Sequence, residues 1–135
     1  MGFYAGLLAI ALVIFTVLDV AWLAGPGRGF YQSEIGHLLL EKFNIAAAAA
    51  FYVLFLAGLT VFVIVPAARA NAVSQALLYG AFFGLVTYGA YDLTNLATLK
   101  GFTVKIAMID MAWGAFLCAS VSGGTVLAAR LFRLI

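Results

Sequence analysis

The chain has 135 residues, of which 67% are hydrophobic and only 9% charged, and its net charge is +2. Soluble globular domains carry about 25% charged residues, so this composition, with a mean hydropathy of +1.17, excludes a soluble domain and indicates an integral membrane protein. The small net charge excludes a nucleic-acid-binding surface. The single cysteine excludes a disulfide within the chain, and no phosphate-binding or metal-binding motif is present, so no cofactor is expected.

Hydropathy predicts an all-α membrane domain with four transmembrane helices and one short amphipathic helix. The four apolar runs are each long enough to cross a bilayer and cover residues 3–23, 45–65, 73–98 and 104–131. The first run has no basic leader and no clear cleavage site, so it is predicted to be retained as a span. Lys and Arg divide three against four between the two sides, which leaves the orientation open.

The first two spans are joined by a longer connector. Gly25-Pro26-Gly27-Arg28-Gly29 is expected to break the first helix, and residues 30–43 are predicted to form a short amphipathic helix in the membrane interface. A soluble connector is the alternative. Gly80 and Gly84 form a Gly-x-x-x-Gly pattern in the third span, which we expect to serve helix packing.

Three of the five acidic residues, Asp19, Asp92 and Asp110, fall inside predicted spans. A charged group in hydrocarbon costs about 2.5–3.5 kcal/mol on insertion scales, so such residues usually face a bundle interior or water. Because loops alternate sides, all three lie in one leaflet, about 8–12 Å from a helix end at 1.5 Å per residue. This is the leaflet next to the connector.

Aromatic and amide side chains accompany these carboxyl groups. Asp19 and Asp110 each begin an Asp-x-Ala-Trp pattern, ending at Trp22 and Trp113, while the third span carries Tyr88, Tyr91, Asp92 and Asn95 on one stripe. The pattern predicts a ligand-binding pocket with Asp92 at its centre, Tyr91 and Asn95 as hydrogen-bond donors, and the two tryptophans as apolar walls. Asp92 is also the candidate catalytic acid or base. Glu34, His37 and Lys100 are second-tier candidates; a metal site is not expected. An inert polar core that locks the helices together is the alternative.

The same residues resemble a known family. Leu18-Asp19-Val20-Ala21-Trp22, the block from Tyr88 to Lys100 and Asp110-Met111-Ala112-Trp113-Gly114 are similar to the bacterial membrane proteins catalogued as domain of unknown function 2177. The resemblance covers nearly the whole chain and implies a small bacterial inner-membrane protein. It implies no reaction.

Three functions therefore stay open from the sequence. The first is binding or modification of a lipid-like or small hydrophobic molecule in the carboxylate-lined pocket. The second is proton- or cation-coupled transport by an oligomer. The third is an accessory role in a larger membrane complex, with membrane lipid as the partner common to all three.

Overall fold

The structure is a computed structural model that describes residues 2–135. Within these residues, four helices are long and apolar enough to cross a membrane, and they cover Gly2–Ala24, Ile45–Arg69, Val73–Thr98 and Val104–Leu131. We call them the first to fourth spans. The predicted all-α membrane fold is confirmed, with a short helix between the first and second spans.

This short helix, the connector helix, covers Pro26–Ile35 and is followed by a 3-10 turn at Gly36–Leu38. The first span ends at Ala24, so the glycine cluster breaks the first helix as predicted, but only Gly25 interrupts the helices and the rest of the cluster lies in the connector helix. Proline is favoured at the first position of a helix, where an amide N–H would have no helical partner, and Pro26 occupies that position. Glycine at position 27 allows the connector helix to contact Trp22 of the first span, since a Cβ there would lie 2.7 Å from Nε1 of Trp22.

The predicted bounds of the connector helix are therefore corrected. It begins at Pro26 rather than Phe30, and its α-helical part ends at Ile35 rather than Phe43. Leu39 has an extended backbone, and residues 39–44 form an irregular loop that leads to the start of the second span. There Asn44 caps the helix by accepting a hydrogen bond of 3.0 Å from the Ala47 N–H.

The second span continues past the point where it was predicted to end. Proline lacks an N–H, and its ring clashes with the carbonyl four residues earlier, so Pro66 is expected to stop the helix after Val65. Instead, a π-helical turn covers Thr60–Ile64, with the Val65 N–H bonded to the Thr60 carbonyl. The wider turn relieves the clash, and helical structure extends to Arg69.

The third and fourth spans form a closely packed antiparallel pair. A Cβ at Gly80 would lie 2.6 Å from the carbonyl oxygen of Cys118, and a Cβ at Gly84 would overlap the backbone of Gly114. The two glycines thus let the helix backbones touch, as the Gly-x-x-x-Gly pattern predicts. This contact fixes the level of Asp92 relative to the fourth span.

The buried apolar side chains form two clusters. The larger fills the bundle on the side of the chain termini and includes Leu7, Leu59 and Leu117, each with no exposed surface. The smaller lies at the other end, where Ile35 of the connector helix packs on Phe102 and Ile106. The connector helix is thereby held over the ends of the spans that carry the aspartates.

A polar contact adds to this docking. The Thr103 hydroxyl donates to the Glu34 carboxylate at 2.8 Å, and Lys105 Nζ lies 3.4 Å from the other Glu34 oxygen. The Lys105 side chain is 65% exposed, so this ion pair contributes little.

We expect Lys105→Ala to lower the free energy of unfolding by less than about 1 kcal/mol, the usual range for exposed ion pairs. Thermal unfolding in detergent measures the change. A loss of several kcal/mol would contradict this account of the docking.

Candidate functional site

The three intramembrane aspartates lie at one depth. Counted along their helices at 1.5 Å per residue, each is about 8–9 Å from the end nearest the connector. Their exposed fractions are 9% for Asp19, 0% for Asp92 and 8% for Asp110. The carboxyl groups therefore face the bundle interior rather than lipid.

They meet in a cavity of about 220 Å³ on the connector side of the bundle. The second span and the connector helix complete its walls. Its lining consists of Asp19, Trp22, Leu23, Tyr31, Ile35, Tyr52, Tyr88, Tyr91, Asp92, Ile106, Asp110 and Trp113. Of the predicted first-tier residues, all but Asn95 contribute to this lining.

The two Asp-x-Ala-Trp patterns face each other across the cavity. The rings of Trp22 and Trp113 stack with centroids 4.5 Å apart and an interplanar angle of 11°. The first and fourth spans cross the membrane in opposite directions, and each carries its pattern near the connector-side end. This placement brings Asp19 and Asp110 to the same level. Because the spans are antiparallel, Trp22 lies nearer to that end and Trp113 farther from it, and the two rings meet between these levels.

Two of the three carboxyl groups accept hydrogen bonds from tyrosines on other elements. Tyr52 of the second span donates to Asp19 at 3.0 Å. Tyr31 of the connector helix donates to Asp110 and accepts a bond of 3.1 Å from Nε1 of Trp22. Burial, together with the hydrogen bond to Asp110, raises the pKa of Tyr31 above its ordinary value, so its phenol stays protonated and remains a donor.

Sequence reasoning did not identify Tyr31 and Tyr52 as site residues. Tyr31 lies in the connector, and Tyr52 follows a run of alanines in the second span. The signal that could have found Tyr52 is its depth, since a phenol at the level of buried carboxyl groups is a natural donor to them.

Asp92 differs from the other two aspartates. Both of its carboxyl oxygens are buried and accept no hydrogen bond from a tyrosine, amide or backbone group within residues 2–135, and their one hydrogen-bonding neighbour is the Asp110 carboxyl. The prediction that Tyr91 and Asn95 donate to Asp92 is therefore wrong. Adjacent residues on a helix do not face each other, and the half-exposed Tyr91 instead packs edge-on against the ring of Phe102.

The surroundings of Asp92 are acidic and aromatic. The Asp110 carboxyl adjoins that of Asp92, and the buried indole N–H of Trp113 also lacks a partner in the described part of the chain. Among the described residues, the lining contains three carboxyl groups and no Lys, Arg or His. The cavity thus offers open acceptors, one open donor and no compensating positive charge.

The second-tier candidates lie outside the cavity. Glu34 is engaged by Thr103 and Lys105 at the connector. His37 packs beside Gly101 in the loop between the third and fourth spans. Lys100 is exposed in the same loop.

A second groove, of about 620 Å³, lies toward the chain termini between the first and second spans. Its lining is apolar apart from Tyr4, Thr60 and Arg69, and the Arg69 guanidinium donates to the Tyr4 hydroxyl. No carboxyl group of the described chain lines this groove. The acidic cavity is therefore the candidate site.

The hydrogen bonds of Tyr31 lead to a prediction. We expect Tyr31→Phe to lower the free energy of unfolding by about 1–3 kcal/mol, because it removes the donor to Asp110 and the acceptor of the Trp22 N–H. Thermal unfolding in detergent measures it, with Tyr79→Phe as the matched control because Tyr79 is 54% exposed. Equal stability of the two variants would show that the Tyr31 bonds contribute nothing.

Comparison with known proteins gives one family. Searches of curated proteins and of solved structures returned no significant match. A family model described as "Predicted membrane protein (DUF2177)" matches residues 4–127. Since this match spans nearly all of the 135 residues, the chain belongs to the domain of unknown function 2177 family of membrane proteins.

Proposed function

We propose that the protein binds a small amphipathic molecule, with the polar head in the acidic cavity and the apolar tail in the leaflet on the connector side. Leu23 and Tyr91 support a lateral entrance, because both line the cavity and are 45% and 54% exposed on the outer surface. The family resemblance supports the bacterial inner membrane as its location.

Asp92 is the observation that carries this proposal. A buried polar group without a partner costs about 1–3 kcal/mol, and more when it is charged. An inert polar core would be expected to pair its carboxyl groups, as Asp19 and Asp110 are paired with tyrosines. A carboxyl group left open in a cavity is instead suited to a partner that arrives from outside the chain.

If the bound molecule is chemically modified, Asp92 is the candidate acid or base. It is the one aspartate of the cavity that accepts no hydrogen bond from a tyrosine in the described chain, so its oxygens can exchange a proton with a ligand in contact. Asp110 beside it is the natural second carboxyl group for a proton relay.

Mass spectrometry of small molecules that co-purify with the protein tests the proposal. Wild-type protein extracted in mild detergent should retain a defined amphipathic molecule, and Asp92→Asn should lose it while eluting as a folded species. Glu34→Gln is the matched control, because Glu34 lies outside the cavity, and it should retain the molecule. An unchanged set of bound molecules in Asp92→Asn would contradict the proposal.

Transport and an accessory role are the two alternative functions, and each would be indicated by a different experiment. The apolar cluster on the termini side, with Leu59 and Leu117 fully buried, favours binding over a polar path through the monomer. Flux in proteoliposomes that responds to a pH gradient and is lost in Asp92→Asn would favour transport by an oligomer. A stoichiometric partner protein in mild detergent would favour the accessory role.

A further inference from the structure

From the charges around the cavity we infer that the head group it binds is a protonated amine with N–H donors. The inference rests on the proposed function and names its ligand class. Three carboxyl groups line the cavity, and no Lys, Arg or His of the described chain lines it with them. A protonated amine would supply the positive charge and the N–H donors that these carboxyl groups lack within the described chain.

The basic residue nearest along the fourth span is already engaged elsewhere. Lys105 lies 3.4 Å from a Glu34 oxygen and 5.7 Å from the centre of the Phe30 ring. Its ammonium group thus lies beside Glu34 and Phe30 and is not part of the cavity lining. The carboxyl groups of the cavity therefore have no basic partner among the lining residues.

The hydrogen-bond pattern selects among cations. Tyr52 and Tyr31 already donate to Asp19 and Asp110, but both oxygens of Asp92 are open. A primary ammonium group carries three N–H donors and can engage Asp92 and the adjoining Asp110 together. A quaternary ammonium group has the charge but no donor, so it would leave the Asp92 oxygens unpartnered.

The apolar walls of the cavity can pack against the methylene group that is bonded to the nitrogen of the amine. The stacked rings of Trp22 and Trp113 and the ring of Tyr88 border the carboxyl groups in the same cavity. Aromatic faces attract a nearby cation and also pack against methylene groups. An alkylamine or an amine-bearing lipid head therefore matches both parts of the lining.

The chain offers its own probe for the test. Its two tryptophans, Trp22 and Trp113, both line the cavity, so tryptophan emission, excited where tyrosine does not absorb, reports on this site. The full-length protein is reconstituted in phosphatidylcholine nanodiscs and titrated with dodecylamine, dodecyltrimethylammonium or dodecanol, which share one chain length. We expect saturable emission changes with dodecylamine at concentrations about tenfold or more below those for the other two probes, because charged hydrogen bonds are worth that factor.

Asp92→Asn retains both tryptophans and should weaken dodecylamine binding by about tenfold or more, while Glu34→Gln should bind like the wild type. Equal titration by dodecanol overturns the amine inference and leaves the proposed function standing. Equal titration by dodecyltrimethylammonium overturns the requirement for N–H donors. If no probe changes the emission and no molecule co-purifies with the protein, the proposed function itself is contradicted.

A second arm separates the two sources of an amine. Phosphatidylethanolamine replaces part of the phosphatidylcholine in the nanodiscs, without added dodecylamine. An emission change that depends on this lipid and is lost in Asp92→Asn assigns the site to a lipid head group. A response to dodecylamine alone assigns it to a free amine that partitions into the membrane.

Discussion

Asp92→Leu is expected to stabilise the ligand-free protein by about 1–3 kcal/mol, because it removes a buried carboxyl group that accepts no hydrogen bond from a tyrosine, amide or backbone group of the described chain. The cavity of about 220 Å³ beside it leaves room for the larger side chain. Thermal unfolding in detergent, after removal of bound small molecules, measures the change. A substitution that stabilises the protein and removes binding would identify Asp92 as a residue kept for function.

Asp19→Leu is the matched comparison. The same change at the same depth should destabilise the protein by about 1–3 kcal/mol, since it leaves the hydroxyl of Tyr52 without its acceptor. Opposite signs for the two variants are the expected result. Similar losses of stability in both variants would favour the inert polar core.

Gly84→Ala is expected to have the largest effect of any single added methyl group. The new Cβ would overlap the backbone of Gly114, and backbone atoms cannot rotate away as a side chain can. Overpacking of this kind costs about 1–3 kcal/mol, occasionally more, and the third and fourth spans would have to separate. Unfolding by sodium dodecyl sulfate titration measures the loss.

Gly58→Ala is the control for that experiment. A Cβ at Gly58 would lie 3.4 Å from the Phe83 ring, which is ordinary van der Waals contact. Alanine favours a helix over glycine by up to about 1 kcal/mol, so this variant should be neutral or slightly more stable. Equal behaviour of the two variants would mean that the third and fourth spans do not pack through Gly84.

The same contact links stability to the site. Gly84 is two helical turns before Asp92 on the third span, and Gly114 is one turn after Asp110 on the fourth. The backbone contact thus sets how the two carboxyl groups lie against each other. We expect Gly84→Ala to weaken dodecylamine binding as well, in the fluorescence titration described above.

The sequence by itself determined the membrane class, the four spans and the common depth of the aspartates. These follow from properties that depend on one helix at a time: hydropathy over about 20 residues fixes a span, and a rise of 1.5 Å per residue fixes a depth. The stacking of Trp22 and Trp113 does not follow in this way, because in antiparallel spans the Asp-x-Ala-Trp pattern puts Trp22 nearer to the connector-side end than Asp19 and Trp113 farther from it than Asp110.

Only the tertiary structure decided which groups meet. The donors to Asp19 and Asp110 come from the second span and the connector helix, and no local spacing relates them to their acceptors. Gly27 of the connector helix packs on Trp22, which is a contact between helices that no local propensity predicts. Asn95 shares a helix face with Asp92, yet it does not line the cavity.

Asp92, which accepts no hydrogen bond from a tyrosine or an amide, is the clearest example of a feature that only the tertiary structure decided. Its neighbours on the helix predict a satisfied carboxyl group, but satisfaction depends on the positions of every donor in the fold. The sequence therefore located the acidic level in the membrane, because depth is a local quantity. The tertiary structure decided which carboxyl group stays open, because hydrogen bonding between helices depends on how the helices pack and is not a local quantity.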